Sequence, residues 1–184
     1  LKGIKSTNPV AVGDWVYFEV DSHANANEGN ITKIEERQNY IVRKSVNLSK
    51  QTHIIASNID QVFLIVTLNN PPTFPAFIDR FLVTAEAYQI PAIILLNEID
   101  TYSKLELEEI TLLQKTYENI GYSTYLISAI QDEGIEKVKE LMQDKVSMFS
   151  GHSGVGKSTL VNAISPSLDL KTAAISKQHQ QGMH

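Results

Sequence analysis

The sequence predicts two modules: a phosphate-loop α/β domain with a mostly parallel sheet and helices on both faces, preceded by a small all-β barrel. Three observations predict this fold class. Residues 51–184 alternate buried-strand runs with helical patterns, residues 1–50 contain only short strand-like runs, and GHSGVGKST at 151–159 matches a phosphate-loop pattern. A net charge of −5 with 42% hydrophobic residues is typical of a soluble globular protein and argues against indiscriminate nucleic-acid binding.

The first module is predicted from three alternating runs, GDWVYFEV, GNITKIEER and NYIVRKS, which show no helical period. A small Greek-key barrel of the OB type fits them, and its N-terminus looks short for five closed strands, so we expect an incomplete first strand. Residues 1–50 hold seven Lys/Arg against six Asp/Glu, whereas residues 51–184 hold nine against fifteen, which predicts a boundary near residue 50. Aromatic residues of this module could stack on bases or, more commonly in a small barrel, fill the core: Trp15, Tyr17, Phe18 and Tyr40.

The second module alternates strands with helices, which predicts a parallel sheet covered on both faces. The strand-like runs are QVFLIVT (61–67), PAIILLN (91–97), YSTYLIS (122–128) and KVSMFS (145–150). Helical patterns occupy 75–89, 104–120, 134–144 and the segment STLVNAI after the phosphate loop. Pro75 suits a helix start, Ser103 can cap the next helix, and Gly121 can end it.

The phosphate-loop pattern G-x-x-x-x-G-K-[ST] meets several demands of a polyphosphate. Its glycines let successive N–H groups point into one concavity, and the helix that follows adds its positive end. The Lys157 ammonium can reach the β- and γ-phosphates, and the Ser158 hydroxyl can ligate Mg²⁺. The predicted nucleotide-binding residues of this stretch are Gly151, His152, Ser153, Gly154, Val155, Gly156, Lys157, Ser158 and Thr159.

Base recognition is predicted upstream of the phosphate loop, in NEID after the second strand and ISAI after the third. The Asp100 carboxylate can accept hydrogen bonds from the ring N–H and the exocyclic amine of guanine, and Asn97 can bond the base and neighbouring loops. Taken alone, NEID also fits a capping turn after a strand. Ser128 and Ala129 favour the guanine reading, because they resemble the Ser-Ala of GTPases, where a backbone N–H meets the guanine oxygen. Base motif, Ser-Ala and phosphate loop then follow the order of a circularly permuted G domain.

Together these segments resemble one family, the circularly permuted, ribosome small-subunit-dependent GTPases known as RsgA or YjeQ. The matching stretches are VAVGDWV, ASNIDQVFLIVT, NEID, ISA, FSGHSGVGKSTLVNAI and the terminal GMH. The resemblance implies binding of GTP and GDP with Mg²⁺ and hydrolysis of GTP to GDP and phosphate. It also implies stimulation by the small ribosomal subunit, contact with its rRNA, and a role in late maturation of that subunit.

Three departures from the family qualify what the resemblance implies. Glu98 stands where the family has the Lys of Asn-Lys-x-Asp, whose stem packs on the guanine ring, so weaker affinity is expected. No D-x-x-G follows the phosphate loop, and the family's C-terminal zinc module is missing, consistent with the absence of cysteine. We therefore expect the chain to be part of a longer protein, truncated before switch II, with zinc only in the missing module.

Catalysis is expected to involve Lys157 and, less directly, the chain's last residues. Gly182-Met183-His184 resembles the start of the family's G-x-H-T-T switch, which makes His184 a candidate for orienting the attacking water. A switch that ends there cannot close over the γ-phosphate, so we expect the chain as given to bind guanine nucleotide but to hydrolyse GTP negligibly.

Two other classes of function remain open on the residues alone. The phosphate loop by itself also fits an ATP-using phosphoryl-transfer enzyme, and the barrel also fits a plain RNA-binding module with a vestigial nucleotide site. No apolar run approaches the length of a membrane span and no signal-peptide core is present, so we expect a cytoplasmic monomer without a membrane partner.

Overall fold

The computed structural model of the 184-residue chain describes residues 9–20, 29–44, 52–171, 175–176 and 181–182. The chain divides into two compact units, Leu1–Ile59 and Asp60–His184. The division therefore falls later than the boundary expected near residue 50. Strand β4 (Thr52–Ser57) pairs antiparallel with β3 (Tyr40–Lys44), and this pairing keeps the residues after 50 in the first unit.

The first unit is built from two antiparallel strand pairs. Strand β1 (Val16–Val20) pairs with β2 (Gly29–Ile34), and β3 pairs with β4. A parallel bridge between Val12 and Ala56 links the segment before β1 to β4. The described strands thus form two separate two-stranded sheets, and the OB-type barrel predicted from the sequence stays a prediction.

A buried ion pair holds the segments of the first unit together. Arg37 binds the Asp14 carboxylate through Nε at 2.6 Å and Nη2 at 2.7 Å, and the Asp14 side chain is fully inaccessible. The Ser57 hydroxyl donates to the same carboxylate at 2.6 Å, and the Ala11 N–H donates at 2.8 Å. Because these donors all stabilise the charged form, with Arg37 first, they hold the pKa of Asp14 far below its usual range despite burial.

Three aromatic side chains of the first unit are exposed rather than packed in a core. Trp15 is 69% exposed, Tyr17 52% and Phe18 62%, so the core-filling role favoured by the sequence is wrong for these residues. The physical reason is that β1 and β2 are accessible along most of their length. The Tyr17 hydroxyl donates to Glu35 at 2.6 Å across the strand pair.

The second unit contains a four-stranded parallel sheet in the order β7-β6-β5-β8. Its strands are β5 (Gln61–Val66), β6 (Ala92–Leu96), β7 (Thr124–Leu126) and β8 (Ser147–Ser150). Its helices are α1 (Pro75–Ala87), α2 (Lys104–Asn119), α3 (Ile135–Met142) and α4 (Lys157–Ile164). The short pair β9 (Ile175–Ser176) and β10 (Gln181–Gly182) is antiparallel.

Alternating side chains of the central strands bury both faces of this sheet. Phe63 and Ile65 of β5 pack with residues of α3 and α4, whereas Leu64 and Val66 pack with residues of α1 and α2. Since every β5 residue is buried, the strand reads as a continuous apolar run, which is typical of a parallel sheet covered on both sides. The α/β layer architecture predicted from the sequence is therefore confirmed.

Local signals set the ends of the helices as the sequence predicts. Pro75 occupies the start of α1, and Ser103 and Glu106 form a reciprocal capping box before α2. Gly121 follows α2 with φ of 100°, a left-handed conformation that suits glycine. Within the described residues, no helix is long and apolar enough to cross a membrane.

Candidate nucleotide site

The predicted site residues meet at the carboxyl ends of the parallel strands. The registers align Val66 of β5 with Leu96 of β6, and Leu96 with Leu126 of β7, so these strands end at the same level. Strand β8 runs parallel to β5 and leads directly into the phosphate loop. An open α/β sheet binds ligands at this edge, and here the edge carries the NEID, ISAI and GHSGVGKST segments.

Two glycines of the phosphate loop are required by close backbone approach as well as by positive φ. Gly151 has φ of 149°, and a Cβ there would lie 2.6 Å from the Ile65 carbonyl oxygen. Gly156 has φ of 87°, and a Cβ there would lie 2.6 Å from Asn97 Nδ2. Any side chain at either position would push the loop away from the strand ends.

Lys157 is the first residue of α4 and folds back over the loop. Its Nζ donates to the carbonyl oxygens of Gly151 at 3.0 Å and His152 at 2.5 Å. An ammonium has three donors, so one more can reach a ligand while these two brace the loop. Burial lowers the pKa of the Lys157 ammonium, which also means that its charge is poorly solvated and available to an anion.

The amino terminus of α4 is free to meet an anion. Gly156 is the N-cap and supplies no side-chain cap, so the first N–H groups of the helix have no capping side chain as acceptor. The Ser158 hydroxyl makes no hydrogen bond to another described residue, which leaves it available as a cation ligand. Uncapped donors, a folded-back ammonium and a hydroxyl fit a nucleotide phosphate chain with Mg²⁺.

Asn97 connects all three predicted segments through its buried side chain, which is 1% exposed. Its Nδ2 donates to the Val155 carbonyl in the phosphate loop at 3.0 Å. Its Oδ1 accepts from the Ala129 N–H in the Ser-Ala segment at 3.3 Å. The base motif is thereby joined to the phosphate loop on one side and to the Ser-Ala segment on the other.

Asp100 and Ser128 form the second contact between the base motif and the Ser-Ala segment. The Ser128 hydroxyl donates to Asp100 Oδ1 at 2.5 Å and accepts from the Gln131 N–H at 3.1 Å. Ser128 is buried, whereas Asp100 is exposed at the edge. The serine therefore holds one carboxylate oxygen of Asp100 and so orients the carboxylate. The other oxygen is available to a ligand.

Tyr102 anchors the main chain of the base motif, and the sequence analysis did not identify it. Its hydroxyl donates to the Asn97 carbonyl at 2.8 Å and accepts from the Leu68 N–H at 2.9 Å. Burial raises the pKa of Tyr102 to about 12, so the hydroxyl keeps the proton that it donates. Only its position two residues after the motif hints at this role, because tyrosine is also an ordinary core residue.

His152 is held by α1 rather than by other loop residues. Its ring lies 3.9 Å from the ring of Phe77, measured between centroids, with 32° between the planes. Burial, and then the charge of Lys157, lower the pKa of His152, so the imidazole is neutral at neutral pH. The histidine contributes its carbonyl to Lys157 and its ring to packing.

Glu98 takes an unusual backbone conformation between Asn97 and Asp100. It is left-handed, with φ of 68° and ψ of 28°, and its carbonyl accepts from the N–H and the hydroxyl of Thr101 at 2.9 and 2.8 Å. Burial, followed by the charge of Asp100, raises the pKa of the Glu98 carboxyl to about 7. The family's positively charged residue is thus replaced by a half-buried acid.

The remaining predicted residues divide into two groups. Ser153, Gly154 and Thr159 lie on the phosphate loop and the first turn of α4, as expected from their positions. His184, the candidate for orienting water, lies outside the described residues. Within the described ranges, no group of three or more His, Asp or Glu side chains could hold a metal ion.

Fold and site together define an α/β domain of the phosphate-loop class, in which the segments predicted to recognise the base precede the phosphate loop in the chain. The family model of the RsgA GTPase matches residues 34–184. The chain belongs to the RsgA GTPase family, and the resemblance seen in the sequence is confirmed.

Relatives and solved structures agree with this membership. The chain is 62% identical over 184 residues to the small ribosomal subunit biogenesis GTPase RsgA of Christiangramia forsetii, and 63% identical to that of Flavobacterium johnsoniae. These matches cover 100% of the chain but only 58% and 57% of the relatives. The crystal structure of YjeQ from Thermotoga maritima superimposes with a TM-score of 0.71 at 35% identity, covering 94% of this chain and 58% of that one. YloQ, described as a circularly permuted GTPase, gives 0.63 at 35% identity, covering 90% and 54%.

Proposed function

We propose that this chain binds GTP and GDP and forms the nucleotide-binding part of a GTPase that acts in late maturation of the small ribosomal subunit. The observation that carries the proposal is the pair of hydrogen bonds of buried Asn97, which donates to the Val155 carbonyl and accepts from the Ala129 N–H. A capping turn after a strand would not need contacts with both a phosphate loop and a Ser-Ala segment. The names of the relatives supply the ribosomal part of the proposal.

Guanine selection is assigned to Asp100. Its carboxylate is acceptor-only and is oriented by the Ser128 hydroxyl, so it suits the ring N–H and exocyclic amine that guanine presents together. The Ala129 N–H makes only a long bond to Asn97 in this structure, at 3.3 Å, and is the donor we assign to the guanine oxygen. Adenine offers no matching pair of donors, which disfavours the ATP-using alternative.

Phosphate binding is assigned to the loop from Gly151 to Gly156 and the start of α4. Lys157 would place its remaining donor on the β- and γ-phosphates, and the uncapped N–H groups of the helix would bind phosphate oxygens. Ser158 would ligate Mg²⁺, which supplies charge neutralisation between the β- and γ-phosphates when it is bound. Zinc would be bound only by the C-terminal module that the resemblance implies for longer members of the family.

Hydrolysis is attack of water on the γ-phosphorus, with cleavage of its bond to the bridging oxygen, to give GDP and inorganic phosphate. Lys157 would stabilise the charge that moves onto the leaving oxygens, which its position over the loop supports. Orientation of the water is assigned to His184, on the basis of the family's switch motif alone.

The first unit is proposed as the ribosome-facing module, an OB-type barrel that contacts rRNA. The exposed rings of Trp15, Tyr17 and Phe18 support this, because aromatic faces stack on unpaired bases. The same exposure favours the second candidate, an RNA-binding module that is indifferent to nucleotide. Action on maturing subunits would take place in the cytoplasm, with the protein as a monomer.

Nucleotide binding is tested with the full-length protein that contains this chain. Lys157→Ala should weaken GDP affinity by about a hundredfold or more, because a buried charge-assisted contact is lost. The matched control is Lys139→Ala on α3, where the partly exposed lysine pairs with Glu136, and its affinity should equal that of the wild type. Equal affinities for both variants would remove this loop as the site.

The ribosomal part is tested by single-turnover GTP hydrolysis with and without purified small subunits. We expect slow hydrolysis by the full-length protein alone and strong stimulation by the subunits. Equal rates would contradict ribosome coupling. Stimulation that survives His184→Ala would contradict only the role of His184, and subunit binding that ignores the nucleotide state would favour the RNA-binding candidate.

A further inference from the structure

Glu98 lies at the junction of the base motif and the phosphate loop. Strand β6 ends at Leu96, the buried Asn97 follows, and Glu98 is in the left-handed conformation. Such a conformation is unfavourable for a residue with a side chain, and the two bonds from Thr101 to the Glu98 carbonyl hold it in place. The backbone of Glu98 is therefore held in one conformation.

The Glu98 carboxyl approaches the last glycine of the phosphate loop. A Cβ built on Gly156 would lie 3.8 Å from Glu98 Oε1, beside the Asn97 amide. Asp100, the proposed acceptor for guanine, is close enough to act on the Glu98 carboxyl by its negative charge. The carboxyl is thus near the end of the phosphate loop and within electrostatic reach of the residue assigned to the base.

The charges around this carboxyl are mixed. Its own loop brings the negative Asp100 and the protonated Tyr102, and the start of α2 brings the acidic Glu106 close enough to affect Tyr102. The phosphate loop and α4 carry the Lys157 ammonium, which is bound to two loop carbonyls, and the His152 imidazole, and the electrostatic influence on Glu98 comes from Asp100. The residues contributed after β7, Ser128 and Ala129, carry no charge. Burial and Asp100 dominate, and they raise the pKa of Glu98 to about 7.

We propose that Glu98 forms the wall of the base subsite next to the phosphate loop, and that binding of a guanine nucleotide is coupled to uptake of one proton by its carboxyl. This inference rests on the proposed function. The nucleotide adds negative phosphates beside a carboxyl that already has Asp100 as a neighbour, so the ionised form is repelled. The protonated form is neutral, can pack along the purine and has an O–H to donate. The proton comes from solvent.

The test is GDP binding to the full-length protein, measured by titration calorimetry across pH for the wild type, Glu98→Gln and Glu108→Gln. The Gln variant mimics the neutral carboxyl, and the Glu108 variant removes an exposed acid of α2 as a charge-matched control. Between about pH 6.5 and about pH 8.5 we expect wild-type affinity to fall about tenfold more than that of Glu98→Gln, with Glu108→Gln following the wild type. Buffers that differ in ionisation enthalpy should report proton uptake by the wild type that Glu98→Gln lacks.

A second variant tests the inference by placing a positive charge at position 98. Glu98→Lys, which introduces the residue expected in the family, should bind GDP more tightly than the wild type at the higher pH and should show no such fall. Identical pH profiles for the wild type and Glu98→Gln, with guanine nucleotide bound by both, would overturn the inference and leave the proposed function standing. Failure of every variant to bind guanine nucleotides at any pH would overturn both.

Discussion

Replacing Asn97 by alanine removes the side chain that joins the base motif to two other segments. Two partners then lose their hydrogen bonds inside the protein, the Val155 carbonyl and the Ala129 N–H. A buried polar group without a partner costs about 1–3 kcal/mol. The bond to Ala129 is long at 3.3 Å, so its loss is expected to cost about 1 kcal/mol, at the low end of that range. The expected loss of unfolding free energy for both bonds is therefore about 2–4 kcal/mol.

Asn162→Ala is the matched control for this substitution. Asn162 on α4 also makes two hydrogen bonds. Its Nδ2 donates to the Leu170 carbonyl at 2.9 Å, and its Oδ1 accepts from the Leu170 N–H at 2.8 Å, but both bonds are exposed. Water replaces exposed partners, so this variant should lose at most about 1 kcal/mol.

The assay is urea unfolding followed by far-ultraviolet circular dichroism. All four described α-helices belong to the second unit, so the helical signal reports the unit that contains Asn97. GDP affinity measured on the same variants should fall for Asn97→Ala and stay unchanged for Asn162→Ala. Equal destabilisation by the two substitutions would refute the joining role assigned to Asn97.

Three further substitutions give expected outcomes from single contacts. Gly156→Ala should abolish detectable GDP binding by equilibrium dialysis, because its Cβ would lie 2.6 Å from Asn97 Nδ2; normal affinity would contradict the loop geometry. Asp14→Asn should lower the unfolding free energy by about 3 kcal/mol near neutral pH by leaving Arg37 unpaired. Since the folded pKa of Asp14 is depressed, the wild-type advantage is complete above the unfolded pKa and should decline in acid-unfolding curves below about pH 4; a constant difference would contradict the pairing. Glu98→Gln should raise the free energy of unfolding by about 1–2 kcal/mol relative to the wild type at pH values above about 7, after allowance for solvent screening of a half-exposed group. The folded pKa of Glu98 is raised, so this difference should vanish below about pH 4.5 in thermal unfolding, and a pH-independent difference would refute it.

The second unit could be predicted from the sequence because its local signals agree with its packing. The apolar run from Gln61 predicts β5, Pro75 marks the start of α1, and Ser103 with Glu106 marks the start of α2. Strand pairing was less accessible, because β5 and β8 are adjacent in the sheet but far apart in the chain. The structure divides the chain after Ile59 rather than near residue 50, because a change in charge composition does not register the pairing of β4 with β3.

The site was predicted as a set of motifs, whereas the contacts between them came only from the structure. The sequence predicts roles for Asn97, Asp100 and Ser128 because GTPase motifs have these residue types at these positions. The role of Tyr102 has no such motif, since a hydroxyl that bridges Leu68 and Asn97 depends on how β5 and β6 end side by side. The raised pKa of Glu98 could not be predicted from the sequence either, because it depends on the burial of the carboxyl and on its distance from Asp100.

Guanine selection by Asp100 is tested most directly by competition between GDP and xanthosine diphosphate for the wild type and Asp100→Asn. The substitution exchanges an acceptor for a donor where guanine presents its amine, while the amide oxygen can still accept from Ser128. We expect the wild type to prefer GDP and the variant to prefer xanthosine diphosphate, with a change in the affinity ratio of about a hundredfold or more. A variant that keeps the wild-type preference, or a wild type that binds ADP as tightly as GDP, would contradict the assignment of Asp100 as the guanine-reading residue.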